Sequence, residues 1–268
     1  MFEYDFIQNA MIAGGIVAVV AGTVGYFLVL RGQTFAGHAL SHVGFAGATG
    51  ASLLGLSPMW GMTCVTLLGG LSMGMLGERL QGSDIAIGTV LSLALGLGML
   101  FLHFFTSYAT QATSLLFGNV LGVDTSTLWS LASLGTISLL LLAVIARPLV
   151  FASLQPELAE AKGVSLRLLS MLFLAIVALT TSVSIQIVGV LLVFTLMVGP
   201  AASAQKLTSR LGLGIALSVV LALFEVWAGI TLAYFTDWPT SFWITALSAG
   251  IYLCAVLLMK CIHYAHRS

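Results

Sequence analysis

Residues 37–50 read GHALSHVGFAGATG, placing His38 and His42 four residues apart within a strongly apolar stretch. On an α-helix that spacing sets both imidazoles on one face, about 6 Å apart along the axis, where they can point at a single ion. Imidazole is the commonest metal ligand among side chains. Two such groups inside hydrocarbon are costly unless they meet a partner. The pair therefore marks a candidate site for handling a metal within a membrane.

The elements that must position this pair follow from composition. The chain has 268 residues, 59% of them hydrophobic and 7% charged, and its mean hydropathy is +1.11. A soluble domain cannot be built from that composition. The expected fold class is an all-α polytopic membrane protein forming a single transmembrane domain over residues 1–268, with the lipid bilayer as its solvent. Nine basic and nine acidic residues leave no net charge, and nothing in their distribution suggests a nucleic-acid partner. Cys64, Cys254 and Cys261 lie in or beside apolar runs without C-x-x-C spacing and read as packing residues. The start, MFEYDFIQNA, lacks the basic region and cleavage site of a signal peptide, so the first apolar run is expected to remain as a span.

Runs long enough to cross about 30 Å of hydrocarbon fall at roughly 7–30, 33–56, 58–77, 84–105, 125–147, 211–234 and 240–260. Residues 168–204 are too long for one crossing, and Ser182, Ser184 and Gln186 near the middle predict a hairpin of two helices. Residues 107–122 are shorter and more polar and predict an interfacial or re-entrant helix. The total is eight or nine crossings. With the amino terminus outside and the carboxyl terminus cytoplasmic, all nine Lys and Arg residues fall on the cytoplasmic side, whereas Glu3, Asp5, Asp124 and Asp237 face outward.

The largest hydrophilic segment is then cytoplasmic, at about 148–167, with Pro148 and Pro156 as helix breakers. A short helix from Pro156 to Ala161, with Glu157 and Glu160 on its body, Lys162 at its end and Gly163 after it, matches the helix dipole. Small residues at i and i+4, including Gly37/Ser41 and Gly44/Ala48, give the histidine-bearing helix a smooth side for close packing against other helices.

The chain resembles a known family, the metal-ion permeases of zinc- and manganese-type ABC importers. Gly37, His38, Leu40 and His42 match the family's G-D-x-L-x-H-A-like motif in the second helix. In order along the chain follow LLFGNVLGV at 115–123, LQPELAEAKGV at 154–164 and IVGVLLVFTLMVGPAASA at 187–204. The segment YFTDWPTSFWITAL at 234–247 is a more divergent version of a Y-x-x-D-x-P-x-G pattern. The resemblance implies a multi-pass protein of a prokaryotic cytoplasmic membrane, an inner-membrane permease rather than an enzyme. It implies a second permease protomer in a homodimer, two cytoplasmic ATP-binding subunits, and an extracytoplasmic binding protein that delivers a divalent metal. The sequence carries no G-x-x-x-x-G-K-[ST] phosphate loop, in keeping with ATP hydrolysis on a separate subunit. On this reading Pro156, Glu157, Leu158, Ala159, Glu160, Ala161, Lys162 and Gly163 form the element that docks the ATPase.

His38 stands where the family usually has an Asp. Carboxylates suit harder ions such as manganese, while imidazole suits zinc, so the substitution tilts the expected cargo toward zinc, with manganese next. Two protomers about a two-fold axis would bring four imidazoles together, enough for a tetrahedral site. Secondary candidates are Glu225, near the middle of its span, and His103 and Asp237, near outer helix ends where they could meet the binding protein. Rival readings are a permease for a metal chelate, an intramembrane metalloenzyme and a passive channel.

Overall fold

The computed structural model describes residues 4–76, 83–104, 116–118 and 120–265. Among these, the long elements are all helices: α1 (Asp5–Leu30), α2 (Thr34–Leu53), α3 (Pro58–Leu76), α4 (Ser83–His103), α5 (Thr125–Leu154), the short α6 (Pro156–Ala161), α7 (Leu166–Val188), α8 (Val190–Leu207), α9 (Leu211–Thr236) and α10 (Thr240–Ala265). A 3₁₀ turn covers Val120–Gly122. Among the described residues eight helices are long and apolar enough to cross a membrane. The ninth long helix, α2, has 20 residues and is not among those eight.

The composition of α2 follows from its surroundings. It packs against α3, α4, α7 and α8, so neighbouring helices rather than lipid are its solvent, and small residues replace large apolar ones. A Cβ on Gly47 would run into the Gly61 carbonyl of α3, and one on Gly98 of α4 would come within 3.0 Å of the Phe45 ring. Bare backbone at such positions lets helices approach without the hydrophobic drive they would have in water.

The helices alternate in direction. Gly14 of α1 faces Val226, and Gly22 faces Val219 of α9, an antiparallel register. Gly70 and Gly74 of α3 face Leu174 and Met171 of α7 in the same sense. Arg31, Lys162, Arg167, Lys206, Arg210 and Lys260 consequently collect at one end, the basic end, while Asp5, Asp124 and Asp237 mark the other. Arg79, Arg267, Glu3 and most of the 107–122 segment lie outside the described residues. Glycine caps recur at the turns. Arg31, Leu54 and Lys162 are the C-caps of α1, α2 and α6, and the glycine after each has φ of +65°, +72° and +83°. The next two N–H groups reach back to the last turn each time, as from Gly32 to Val29 and Gln33 to Leu28, which satisfies the orphan carbonyls.

Two local expectations need correction. Pro148 does not end α5, which continues to Leu154; the carbonyl it frees belongs to Val144, which no neighbouring helix covers, and buried Leu149 and Ala152 hold the last turns to the core. The reversal between α7 and α8 also falls later than Ser182, Ser184 and Gln186. The Ser182 and Ser184 hydroxyls donate to the carbonyls of Leu179 and Thr180 within α7, so they cause no break. The chain turns at Gly189, with φ 82° and ψ 162°. There Gly189 lies against the backbone of Leu116–Gly118 so closely that a Cβ on either Gly118 or Gly189 would overlap the other strand of chain.

Candidate metal site

The open side of α2 is the side that carries the histidines. Most of the helix from Ala36 to Ala51 is buried, whereas His38 and His42 are half-buried and Phe35, one turn before, is 41% exposed. The two imidazole centroids lie 4.9 Å apart with their planes at 82°, a spacing at which one ion with metal–nitrogen bonds of about 2.0–2.1 Å can be shared. The Ser41 hydroxyl donates to the His38 carbonyl at 2.7 Å, so the polar residue between them turns inward, away from the open face.

Aromatic rings frame His38. The Phe194 ring of α8 meets it edge-on at 5.4 Å, and the Phe35 ring lies at 6.4 Å, inclined by 26°. Leu191, Phe194, Thr195, Val198 and Ala202 form the accessible stripe of α8, and α8 packs on α2. The histidines thus sit on an open face shared by two helices and walled by apolar groups. Neutral imidazoles in such a setting offer lone pairs without a carboxylate's charge. Among the described residues no three His, Cys, Asp or Glu side chains converge. Among the described residues the candidate site is a pair.

The secondary candidates lie elsewhere. Glu225 is fully buried on α9, which packs against α1, α8 and α10. It lies beside Ser248 of α10, and neither carboxyl oxygen meets a hydrogen-bond partner in good geometry. His103 is exposed at the end of α4. Phe101, two residues earlier, touches the Gly50 position of α2, which is roughly 18 Å along α2 from His38 at 1.5 Å per residue. Asp237 is exposed in the left-handed cap of α9, its N–H donating to Ala233. None of the three is brought to the histidine pair.

The short helix stands at Pro156–Ala161, where its proline and glycine predict it. Ala159 is fully buried and pins it to α5 and α7. Pro156, Glu157, Leu158, Glu160, Ala161, Lys162 and Gly163 are all exposed. Leu154, the last residue of α5, and Leu158 of α6 are 67% and 46% exposed. Phe194 and Phe35 went unnoticed in the sequence because an aromatic residue within an apolar run carries no signal of its neighbours; Gly189 stood inside a matched motif, but a single glycine does not announce a reversal.

A model described as the ABC 3 transport family matches residues 3–259. The manganese transport system membrane protein MntC of Halalkalibacterium halodurans is 27% identical, with 95% of this chain and 88% of that protein covered. The manganese import system permease protein ScaB of Streptococcus gordonii is 29% identical, with 100% of this chain and 96% of that protein covered. Among solved structures, a chain of PsaBC from Streptococcus pneumoniae in complex with Fab superposes with a TM-score of 0.84 at 29% identity, covering 94% of this chain and 91% of that one.

Proposed function

The chain belongs to the ABC 3 transport family, and from that membership we propose that it is the membrane-spanning subunit of an importer for a divalent transition-metal ion, with His38 and His42 contacting the ion in transit. The observation that carries this reading is the placement of the two imidazoles 4.9 Å apart on the open side of an otherwise enclosed helix.

In this reading two copies of the chain pair so that the open faces of α2 and α8 look at each other across the pathway. Each copy contributes two imidazoles, and four nitrogen ligands suffice for a tetrahedral ion. The ion exchanges its water shell for imidazoles that hold it without net charge. Protons compete for the same lone pairs, which offers a route to release. The basic end faces the cytoplasm, and there Pro156–Gly163 docks into one of two ATP-hydrolysing subunits, with Glu157, Leu158 and Glu160 on its exposed surface. An extracytoplasmic binding protein delivers the ion at the end marked by Asp5, Asp124 and Asp237. The relatives' names favour manganese as cargo, and the imidazole pair favours zinc.

The test is ATP-dependent uptake of manganese and of zinc into proteoliposomes holding the chain with its ATPase and binding protein. Uptake of either metal that requires ATP, with the ATPase co-purifying with the chain, supports the proposal and identifies the cargo. Metal flux indifferent to ATP would point to a channel, and accumulation of only a chelated metal would point to a chelate permease.

A further inference from the structure

The histidine-bearing helix and the exposed short helix are joined by a small cluster of side chains at the basic end. The corner between α1 and α2 presents Arg31 and Gln33 to the first two turns of α7. The Arg31 guanidinium lies 5.5 Å from the centroid of the Phe173 ring. Its Nε donates to Gln33 Oε1 at 3.1 Å, and Gln33 Nε2 donates to Ser170 Oγ at 3.4 Å. Phe173 is fully buried, so the ring face offered to Arg31 is fixed by the core. A cation over an aromatic face is attracted by the ring's quadrupole, and more so where water is partly excluded.

Both ends of this cluster are stiff. On the α7 side, the Val164 N–H donates to the Ala159 carbonyl and the Gly163 N–H to Glu160. Ser165 caps α7 by accepting from the Leu168 N–H at 3.3 Å, and Val164 and Leu166 pack onto the core. A displacement of α6 therefore displaces the start of α7. On the α2 side, the Gln33 N–H donates to Leu28 at 3.1 Å, and the Leu28 side chain fills the space beside Gly37, its Cδ2 2.7 Å from where a Cβ would stand. Thr34 then begins α2, which is continuous through both histidines.

We propose that Arg31, Gln33, Ser170 and Phe173 form a positioning link that carries movement of the Pro156–Gly163 helix through α7 to α2 and its histidines. The inference rests on the reading that this helix docks an ATPase, and it assigns the route by which docking reaches the metal pair. Coupling between distant sites travels through packed elements with more than one arrangement, and here the two elements meet through directional polar contacts at a chain corner.

The experiment measures metal ions moved per ATP hydrolysed by the complete complex in proteoliposomes, for wild type, Arg31→Met, Phe173→Leu, the double variant and Phe173→Tyr. The expected result is a ratio lowered roughly five-fold in each single variant, the low end of ordinary coupling energies. The double variant should be no lower than either single one, because both cut the same link, and Phe173→Tyr should restore the wild-type ratio because the ring face is kept. An unchanged ratio in the single variants, or additive losses in the double one, overturns the proposal. A wild-type complex that moves no metal refutes the functional reading instead. The link is then judged by thermal unfolding of the full chain in detergent: non-additive Tm changes for Arg31→Met and Phe173→Leu support it, and additive ones overturn it. Gln33→Leu, at a half-buried position, gives a milder cut should Phe173→Leu fail to fold.

Discussion

α2 and α9 each carry ionisable side chains across the membrane region, and the structure treats them in opposite ways. His38 and His42 stand on an open face, half-buried, with an apolar wall on either hand. Glu225 is sealed at 0% exposure between α9 and its neighbours, with Ser248 beside it. An ion in transit must enter and leave, and exchange requires access. The difference separates a pair that the packing leaves open to exchange from a carboxyl that the packing seals, and the proposed transport role rests on the former.

The sharpest way to break this comparison is to exchange the two sites' importance. Replacing both histidines, His38→Ala/His42→Ala, should lower metal uptake on the order of 100-fold, since even the outer supports of a metal site cost 10–100-fold, while the complex still assembles. Glu225→Gln, which keeps the shape and removes any charge, should leave uptake unchanged. Undiminished transport in the double alanine variant together with loss in Glu225→Gln would reverse the assignment.

A smaller effect should come from changing the chemistry of the open face without closing it. His38→Asp puts a carboxylate in place of an imidazole, and a carboxylate favours harder ions. Competition between manganese and zinc for uptake should shift toward manganese by roughly ten-fold, equivalent to about 1.4 kcal/mol. A ratio that does not move would mean that selection occurs before the ion reaches α2.

The sealed site should show itself in stability rather than transport. Glu225→Lys places a longer charged group where nothing is arranged to receive it, with an expected cost of about 2.5–3.5 kcal/mol on insertion scales. The readout is the Tm and yield of the full chain in detergent. A variant as stable as wild type would show that the α8–α9–α10 packing opens to water.

Much of this was legible in the sequence because the bilayer imposes it. Long apolar runs, the gathering of Lys and Arg at one end and the Pro156–Gly163 helix all follow from local rules that tertiary packing does not override. The histidine pair was legible because four-residue spacing fixes a shared helix face. What was not legible depends on contacts distant along the chain. Pro148 looks like a stop, yet Leu149 and Ala152 are buried strongly enough to carry α5 past it. Gly189 marks the reversal, and the backbone of Gly118, 71 residues earlier, packs against it too closely for a Cβ on either. Phe194 frames His38 from a helix whose approach no local pattern encodes. Even the modest hydropathy of α2 is explained by its enclosure, a fact about its neighbours.

The smallest expected effect concerns a third ionisable group, one that meets water outright. Asp124 caps α5: its Oδ1 accepts from the Thr127 N–H at 3.0 Å and its Oδ2 from the Ser126 hydroxyl at 2.8 Å. Hydrogen bonds from the Thr127 and Ser126 side chains and the Thr127 backbone hold its carboxyl below the usual carboxylate range. Because the folded state favours the ionised form, the stabilisation is present above the unfolded value of about 3.9 and is lost as pH falls through the folded one. Asp124→Ala should therefore lower the Tm slightly near neutral pH and flatten its decline in acid. Asp124→Asn, an equally good cap, should keep the neutral Tm and lose only the acid dependence. If Asp124→Ala leaves the acid limb of the Tm curve unchanged, the charge at this end of α5 is not read by the fold.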